Sequence, residues 1–176
     1  MASFEGLTEL YAKATTAEES ADRSAAAKAL AEGLKAEGGA LTVVSMKLVD
    51  KVIASLGEAK SVPAREGAIL VMQELVTALG PLAEPYVVRA LPTLIERFDD
   101  KVKLVAQATE TMLVAFFQGV NPYASATLLP YLFDGMAAIS WKVKSGCLKL
   151  LGVLAHTAPT QIGQLLPDIV PKVTDT

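Results

Sequence analysis

One tripeptide, Lys-Val-Lys, occurs twice in this chain, and the two copies begin 41 residues apart at Lys101 and Lys142. Each copy opens a helical pattern about ten residues after a Leu-Pro pair. The Leu-Pro pairs recur at intervals of 38 and 37 residues, at Leu91-Pro92, Leu129-Pro130 and Leu166-Pro167. Two markers with nearly one period indicate a repeat array, in which each unit packs only on its neighbours.

The repeated unit contains two helices. The first contains or begins near a proline, and the second begins at Lys-Val-Lys after a short polar turn. A two-helix unit of roughly 40 residues is typical of HEAT and armadillo repeats. The chain is 52% hydrophobic but only 6% aromatic, which suits closely packed helices better than sheets. The sequence predicts an all-α fold, a HEAT-repeat α-solenoid of about nine helices in roughly four and a half hairpins, forming one domain over residues 1–176.

Apolar spacing and turn residues predict where the helices lie. The expected spans are residues 3–14, 17–35, 41–56, 62–79, 86–98, 101–118, 121–138, 141–157 and from 159 onward. Thr15 or Thr16 is expected to cap the second helix, and Gly38-Gly39 to end it. Ser61 is expected to cap the fourth, while Val44 belongs to the apolar stripe of the third.

Composition and charge exclude several classes of protein. The net charge is −3 and the pI is near 5.2, so the chain as a whole is not a basic nucleic-acid binder. The single cysteine, Cys147, excludes an internal disulfide framework and fits a reducing compartment. Glu5 and Glu9 interrupt any signal-peptide pattern, and no apolar run approaches the ~18 residues of a membrane span. We expect a cytoplasmic monomer that contacts neither membrane nor DNA.

The sequence predicts no catalytic residue, no metal ligand and no cofactor site. His156 has no second histidine or carboxylate at ligand spacing, and its place near a helix end suits an interaction with the helix dipole. Cys147 shares a helix face with Leu150 and Leu154, as expected of a small core residue. Residues 57–61 end in Lys-Ser but lack the spacing and the strand of a phosphate-binding loop.

Cations at helix starts are the candidate binding residues. Lys101, Lys103, Lys142 and Lys144 occupy equivalent positions in adjacent units, so a solenoid would stack them about 10 Å apart. Such a ladder suits phosphate groups, although lysines at turns also serve simply as a solvated face. Trp141 is either an exposed anchor for a partner or, more commonly, a cover over the core between repeats. The full candidate set is Arg65, Arg97, Lys101, Lys103, Trp141, Lys142, Lys144 and Lys172.

The end of the sequence carries a separate expectation. Asp100 and Asp175 each lie eight residues after the proline of a Leu-Pro pair, so Asp175 matches the N-cap of a second helix that the sequence does not contain. A repeat helix without its partner leaves its apolar face uncovered. We therefore expect a fragment of a longer protein, with poor burial of Leu165, Ile169 and Val173.

Five stretches form a set of motifs with a known counterpart. They are Glu84-Pro85-Tyr86-Val87-Val88, Asn121-Pro122, Leu128-Leu129-Pro130, Trp141-Lys142-Val143-Lys144 and Leu165-Leu166-Pro167-Asp168-Ile169-Val170-Pro171. The set resembles the N-terminal HEAT domain of fungal and oomycete translation elongation factor 3, clearly over residues 83–176. The resemblance implies a ribosome-dependent ATPase that promotes release of deacylated tRNA from the exit site. It implies ribosomal RNA and proteins as partners, with ATP and magnesium bound by cassettes that this sequence lacks.

Two alternatives stay open. The central HEAT region of the general-control translational activator is similar over the same motifs, although the methionine start, about two units before them, favours the elongation factor. The other alternative is a protein scaffold whose concave face binds an extended peptide or a helix, as in HEAT transport receptors. The leading hypothesis is a ribosome-binding module without enzyme activity of its own.

Overall fold

The computed structural model describes residues 4–174, and all the regular elements in that range are helical. Three short 3₁₀ turns accompany the α-helices, at Gly80–Ala83, Arg97–Asp99 and Pro122–Ala124. The eleven α-helices are α1 (Phe4–Thr16), α2 (Ser20–Ala36), α3 (Ala40–Ser45), α4 (Leu48–Leu56), α5 (Val62–Leu79), α6 (Glu84–Glu96), α7 (Lys103–Gly119), α8 (Ser125–Met136), α9 (Trp141–Thr157), α10 (Pro159–Gln164) and α11 (Leu166–Thr174). The all-α prediction is confirmed. The chain divides into two compact units, Met1–Thr93 and Leu94–Thr176, and a single domain stays a prediction.

The first unit is built on α1, α2 and α5, which pack against one another around buried leucines and Ile69. Gly67 in α5 allows the close approach of α1, because a Cβ at this position would collide with the carbonyl group of Ala14. The ends of two helices lie as predicted. Gly38 and Gly39 have φ of 99° and 56° just after α2, and the hydroxyl of Ser61 accepts a 3.2 Å hydrogen bond at the start of α5.

A buried polar network also joins α2 to α5. Arg23 and Glu66 form an ion pair, and both side chains are buried. The same guanidinium donates hydrogen bonds of 2.7 Å to the carbonyl oxygens of Ala17 and Glu18, while Ser20 donates to the Glu66 carboxylate. These contacts satisfy most of the polar groups that burial removes from water.

Two predictions in the first unit are wrong. Thr15 and Thr16 do not cap α2, because both still belong to α1 and their hydroxyls donate to carbonyls one turn earlier. The helix predicted over residues 41–56 is broken at Lys47, whose φ of 50° is left-handed. The break turns Met46 and Leu48 both into the core, which one straight helix cannot do for residues two positions apart. Val44 is consequently 63% exposed instead of buried.

The second unit is built on α7, α8 and α9, with α10 and α11 packed beside them. Two glycines bring its elements together, because a Cβ on Gly135 would collide with Cys147 Sγ, and one on Gly146 would lie 2.6–2.8 Å from the Phe98 ring. The spans predicted over 121–138 and from 159 onward each divide, at Ser125 and Leu165. The prediction for α9, residues 141–157, matches the structure.

The expected exposure of α11 is only partly confirmed. Val173 is 38% exposed and Leu165 is half-buried, as expected. Ile169 is 5% exposed, so its predicted poor burial is wrong. The reason is that α11 folds back and contacts α8, which covers one side of this short helix. The N-cap expected at Asp175 lies outside the described residues.

One helical stretch meets the length and composition of a membrane span, contrary to the prediction of no sufficiently long apolar run. It extends over Val62–Asp99, and its most apolar window has a mean hydropathy of 1.2. Half of that window is buried within the fold, as is usual for core helices. By length and composition alone, therefore, this stretch does not distinguish a core helix from a membrane helix.

Candidate nucleic-acid interface

The starts of α7 and α9 are held together by one carboxylate. Asp99, in the turn before α7, lies with its Oδ1 3.0 Å from Nζ of Lys142 in the first turn of α9. It also accepts a hydrogen bond from Ser140, the residue that precedes α9. These contacts, first that to Lys142 and then that to Ser140, hold the pKa of Asp99 below its usual value of 3.8. The turn that precedes α7 therefore lies beside the first turn of α9.

A groove of about 220 Å³ runs between these two helices, and we call it the α7–α9 groove. Phe98 of the Arg97–Asp99 turn and Gly146 of α9 line it, and Gly146 lies so close to the Phe98 ring that a Cβ would not fit between them. Its other principal side chains are Lys103, Gln107, Glu110, Trp141, Lys142 and Lys149. The groove therefore combines two aromatic side chains, an amide, a carboxylate and three ammonium groups in a space suited to one small group.

The charges of the groove are not evenly distributed. Lys149 is paired with Glu110 two turns into the helices, so that end is close to neutral. At the other end, Lys103 is exposed and has no carboxylate within 4.0 Å among residues 4–174. Lys142 shares Asp99, but both side chains are nearly half exposed, and such pairs contribute little. Positive charge is thus concentrated where the helix N-termini also favour anions.

Trp141 projects from the start of α9 and is 72% exposed. The expectation that it covers the core between repeats is therefore wrong, and the other interpretation, an exposed anchor, agrees with the structure. Its exposure follows from its position just before Val143, which turns inward and is buried in its place. A large apolar side chain held in water at a groove is typical of binding surfaces.

The remaining candidate residues lie in different environments. Lys101 and Lys172 are exposed and Lys144 is half-buried, but none of the three lines the groove. Arg97 is also half-buried, and its guanidinium lies 3.4 Å from Glu96 and 3.7 Å from Asp100.

Arg65 differs most from expectation. It is 5% exposed, and Nη1 donates to three carbonyl oxygens in the preceding turn, those of Glu58 and Ala59 at 2.8 and 2.9 Å and that of Ser61 at 3.3 Å. This guanidinium holds its own turn together, and burial keeps it from a phosphate in solvent. Arg65 is a poor candidate for phosphate binding because its long side chain folds back onto its own turn. We therefore leave it out of the candidate surface.

Gln107 and Lys149 were not among the sequence-based candidates. Gln107 lies four residues after Lys103, and Lys149 lies seven residues after Lys142, so both share a helix face with a lysine of the repeated tripeptide. Helical spacing counted from the tripeptides would have found them.

The groups with reactive chemistry are placed as core or helix-end residues. Burial raises the pKa of the Cys147 thiol to about 12, which keeps it protonated. Nδ1 of His156 lies 2.9 Å from the Gly152 carbonyl oxygen in the last turns of α9. In the part of the chain that the structure describes, no three His, Cys, Asp or Glu side chains are close enough to hold a metal ion.

The helices pair in repeated units, and this pairing is the defining feature of α-helical repeat proteins. The α7–α9 groove, at the starts of two corresponding helices, is a candidate binding surface of this repeat protein. The chain belongs to the EF3 N-terminal HEAT repeat family, whose model matches residues 23–176. The resemblance seen in the sequence motifs is thereby confirmed.

Curated relatives with three different names match this chain. The chain is 34% identical to elongation factor 3 of Gonapodya prolifera over 171 residues, 96% of this chain and 16% of that protein. It is 35% identical to the stalled ribosome sensor GCN1 of Mus musculus over 155 residues, 88% of this chain and 6% of that protein. Protein ILITYHIA of Arabidopsis thaliana is 38% identical over 121 residues, 69% of this chain and 4% of that protein. The chain thus spans less than one fifth of these relatives' lengths, and no solved structure matches it.

Proposed function

We propose that this chain is a ribosome-binding HEAT module of an elongation factor 3-like protein, and that it docks through the cationic end of the α7–α9 groove. The observation that carries the proposal is the pairing of Lys103 and Lys142 beside an exposed Trp141. Relatives named elongation factor 3 and stalled ribosome sensor support the ribosome as the partner. Ribosomal RNA supplies the phosphates that such lysines contact.

The charge of the chain implies that its attraction to RNA is confined to a local group of cations. The chain as a whole carries −3, so it gains no general attraction to RNA. The attraction to RNA would have to come from the lysines of the two tripeptides, with Lys172 and Arg97 as further candidates. Because phosphate contacts release counterions, binding should weaken steeply as salt rises, by about 0.9 in logarithmic slope per contact on a duplex.

The parent protein follows from the same relatives and belongs to the proposal. It would be a cytoplasmic ATPase that promotes release of deacylated tRNA from the ribosomal exit site. ATP and magnesium would bind in cassettes outside this chain, which itself would act only as the docking module, as a monomer. A second candidate parent is a general-control activator, favoured by the 35% identity to the stalled ribosome sensor.

Co-sedimentation with purified eukaryotic ribosomes, at low and moderate salt, tests the docking. In the test variant four lysines are changed to Gln, namely Lys101, Lys103, Lys142 and Lys144. In the matched control the same change in net charge is made at four exposed lysines of the first unit, namely Lys13, Lys28, Lys35 and Lys60. Glutamine removes the positive charge and keeps a similar helix propensity, with a side chain that is slightly shorter than that of lysine.

The expected result is salt-sensitive binding by the wild type and by the control. The test variant should lose up to about 3.6 in the logarithmic salt slope, the share of four phosphate contacts at about 0.9 each. Equal binding of both variants would mean that the ribosome contact lies outside these four lysines. Binding that hardly changes with salt would favour the alternative scaffold, whose apolar groove holds a peptide or a helix.

A further inference from the structure

We infer that the α7–α9 groove binds a single unpaired RNA nucleotide, with its base stacked on the Trp141 indole and its flanking phosphates at Lys103 and Lys142. This rests on the proposed ribosome docking and adds which kind of RNA surface is recognised. The ligand is a base that is turned out of a helix or lies in a single-stranded loop, and the smooth backbone of a duplex is not the target.

The first argument is size. At about 220 Å³ the groove is smaller than the roughly 300–1,000 Å³ of sites for drug-sized molecules, so it admits one planar group. Phe98 and Gly146 form the apolar floor of the groove, and Trp141 exposes much of its indole surface. Recognition of single-stranded RNA commonly uses such an aromatic side chain, on which an unstacked base lies.

The second argument is where the charge lies. Lys103 and Lys142 are in the first turns of α7 and α9, at the same end of the groove as Trp141. Lys149 and Glu110 neutralise each other farther along. A nucleotide within a strand carries a phosphate on each side of its sugar, so a base stacked on Trp141 would bring phosphates to the same end of the groove as these two ammonium groups.

The third argument is the amide of Gln107, one helical turn after Lys103. Within residues 4–174 this side chain makes no hydrogen bond to the protein, although it lines the groove. An amide both donates and accepts, and it can therefore read the edge of a base. The carboxylates of an acidic peptide would use the lysines but would leave both the amide and the indole without a matching group.

The chain has one tryptophan, so its own fluorescence reports on Trp141. The intact chain is titrated at low salt with single-stranded oligo(A) of about ten nucleotides, within the usual site size of single-strand binders. Parallel titrations use an RNA duplex of equal length and poly-L-glutamate. We expect quenching by oligo(A) and much weaker quenching by the other two polyanions. Comparable quenching by the duplex or by poly-L-glutamate would overturn the inference.

Variants test the stacking by the anisotropy of labelled oligo(A). Trp141→Ala should weaken binding by roughly tenfold, within the range found for base stacking, while Trp141→Phe should retain most of the affinity. Tyr123→Ala is the matched control, because Tyr123 is an exposed aromatic of the same unit that does not line the groove. Equal binding by Trp141→Ala and the wild type would contradict the stacking.

Ribosome co-sedimentation separates this inference from the proposal on which it rests. If the wild type and Trp141→Ala sediment equally with ribosomes, and oligo(A) does not quench, the nucleotide site is refuted while the docking proposal stands. If the wild type does not sediment with ribosomes, both fail. Weaker sedimentation of Trp141→Ala, together with quenching by oligo(A), supports both.

Discussion

Gly67→Ala should destabilise the first unit by about 1–4 kcal/mol, although it adds only one methyl group to a helix. In α5, a Cβ at this position would collide with the Ala14 carbonyl and lie 3.0 Å from Cα of Thr15. Both contacts are with the backbone of α1, so no side-chain rotation can relieve them. The whole of α1 must move away from α5.

The magnitude combines three effects. Alanine at a helix interior gains about 1 kcal/mol over glycine. Overpacking against a backbone costs about 1–3 kcal/mol. Moving α1 also exposes part of Leu7, whose full burial contributes about 1.5–3 kcal/mol. The cost exceeds the gain, which gives the net loss of about 1–4 kcal/mol.

The matched control is Gly152→Ala in α9, where a Cβ would have no heavy atom within 4 Å. It should stabilise by up to about 1 kcal/mol, since only the helix propensity changes. Urea denaturation followed by far-UV circular dichroism measures both variants. A neutral or stabilising Gly67→Ala, or a shift of both variants in the same direction, would refute the packing of α1 on α5.

Three further predictions concern charged and ionisable groups. Arg23→Ala should cost about 3–5 kcal/mol in urea denaturation because it strands the buried Glu66, whereas the double variant Arg23→Met, Glu66→Leu should recover most of the loss. Cys147 should resist a thiol reagent until the chain unfolds, and because burial raises its pKa from 9.0 to about 12, its contribution to stability should fall as pH rises between these values. Lys142→Gln should raise the pKa of Asp99 towards 3.8 in a carboxyl-carbon NMR titration, and an unchanged pKa would contradict the pairing.

The period of the sequence predicted the paired helices of the second unit well. Residues 141–157 form α9 as expected because each turn of that helix repeats the same alternation of core and surface positions. The break at Lys47 was not predicted, since the pattern of residues 41–56 fits a helix by local spacing. One straight helix over these residues would not turn both Met46 and Leu48 into the core, and both are buried in the structure.

The candidate site was predicted in part. The lysines of the repeated tripeptide identified the end of the groove, although the two that line it, Lys103 and Lys142, are the third residue of one copy and the first residue of the other. Burial of individual side chains did not follow from the pattern. Trp141 and Arg65 both lie in the first turn of a helix, yet one is exposed and the other is buried. The difference depends on which neighbouring groups each side chain can reach. A one-dimensional period identifies a helix face but does not say what covers it.

The Arg23–Glu66 ion pair adds a polar constraint to the alignment of two helices that also pack through apolar side chains. From Ala25 to Ala29, helix α2 is rich in alanine, and its fully buried Leu30 and Leu34 lie beyond that segment. Over the alanine-rich segment, a slide of one turn, about 5.4 Å, would bury methyl groups of similar size. The same slide would separate Arg23 from Glu66 and leave two buried charges unpaired. It would also part Ser20 from the Glu66 carboxylate, so we expect these polar contacts, together with the two leucines, to decide which turn of α2 meets which turn of α5.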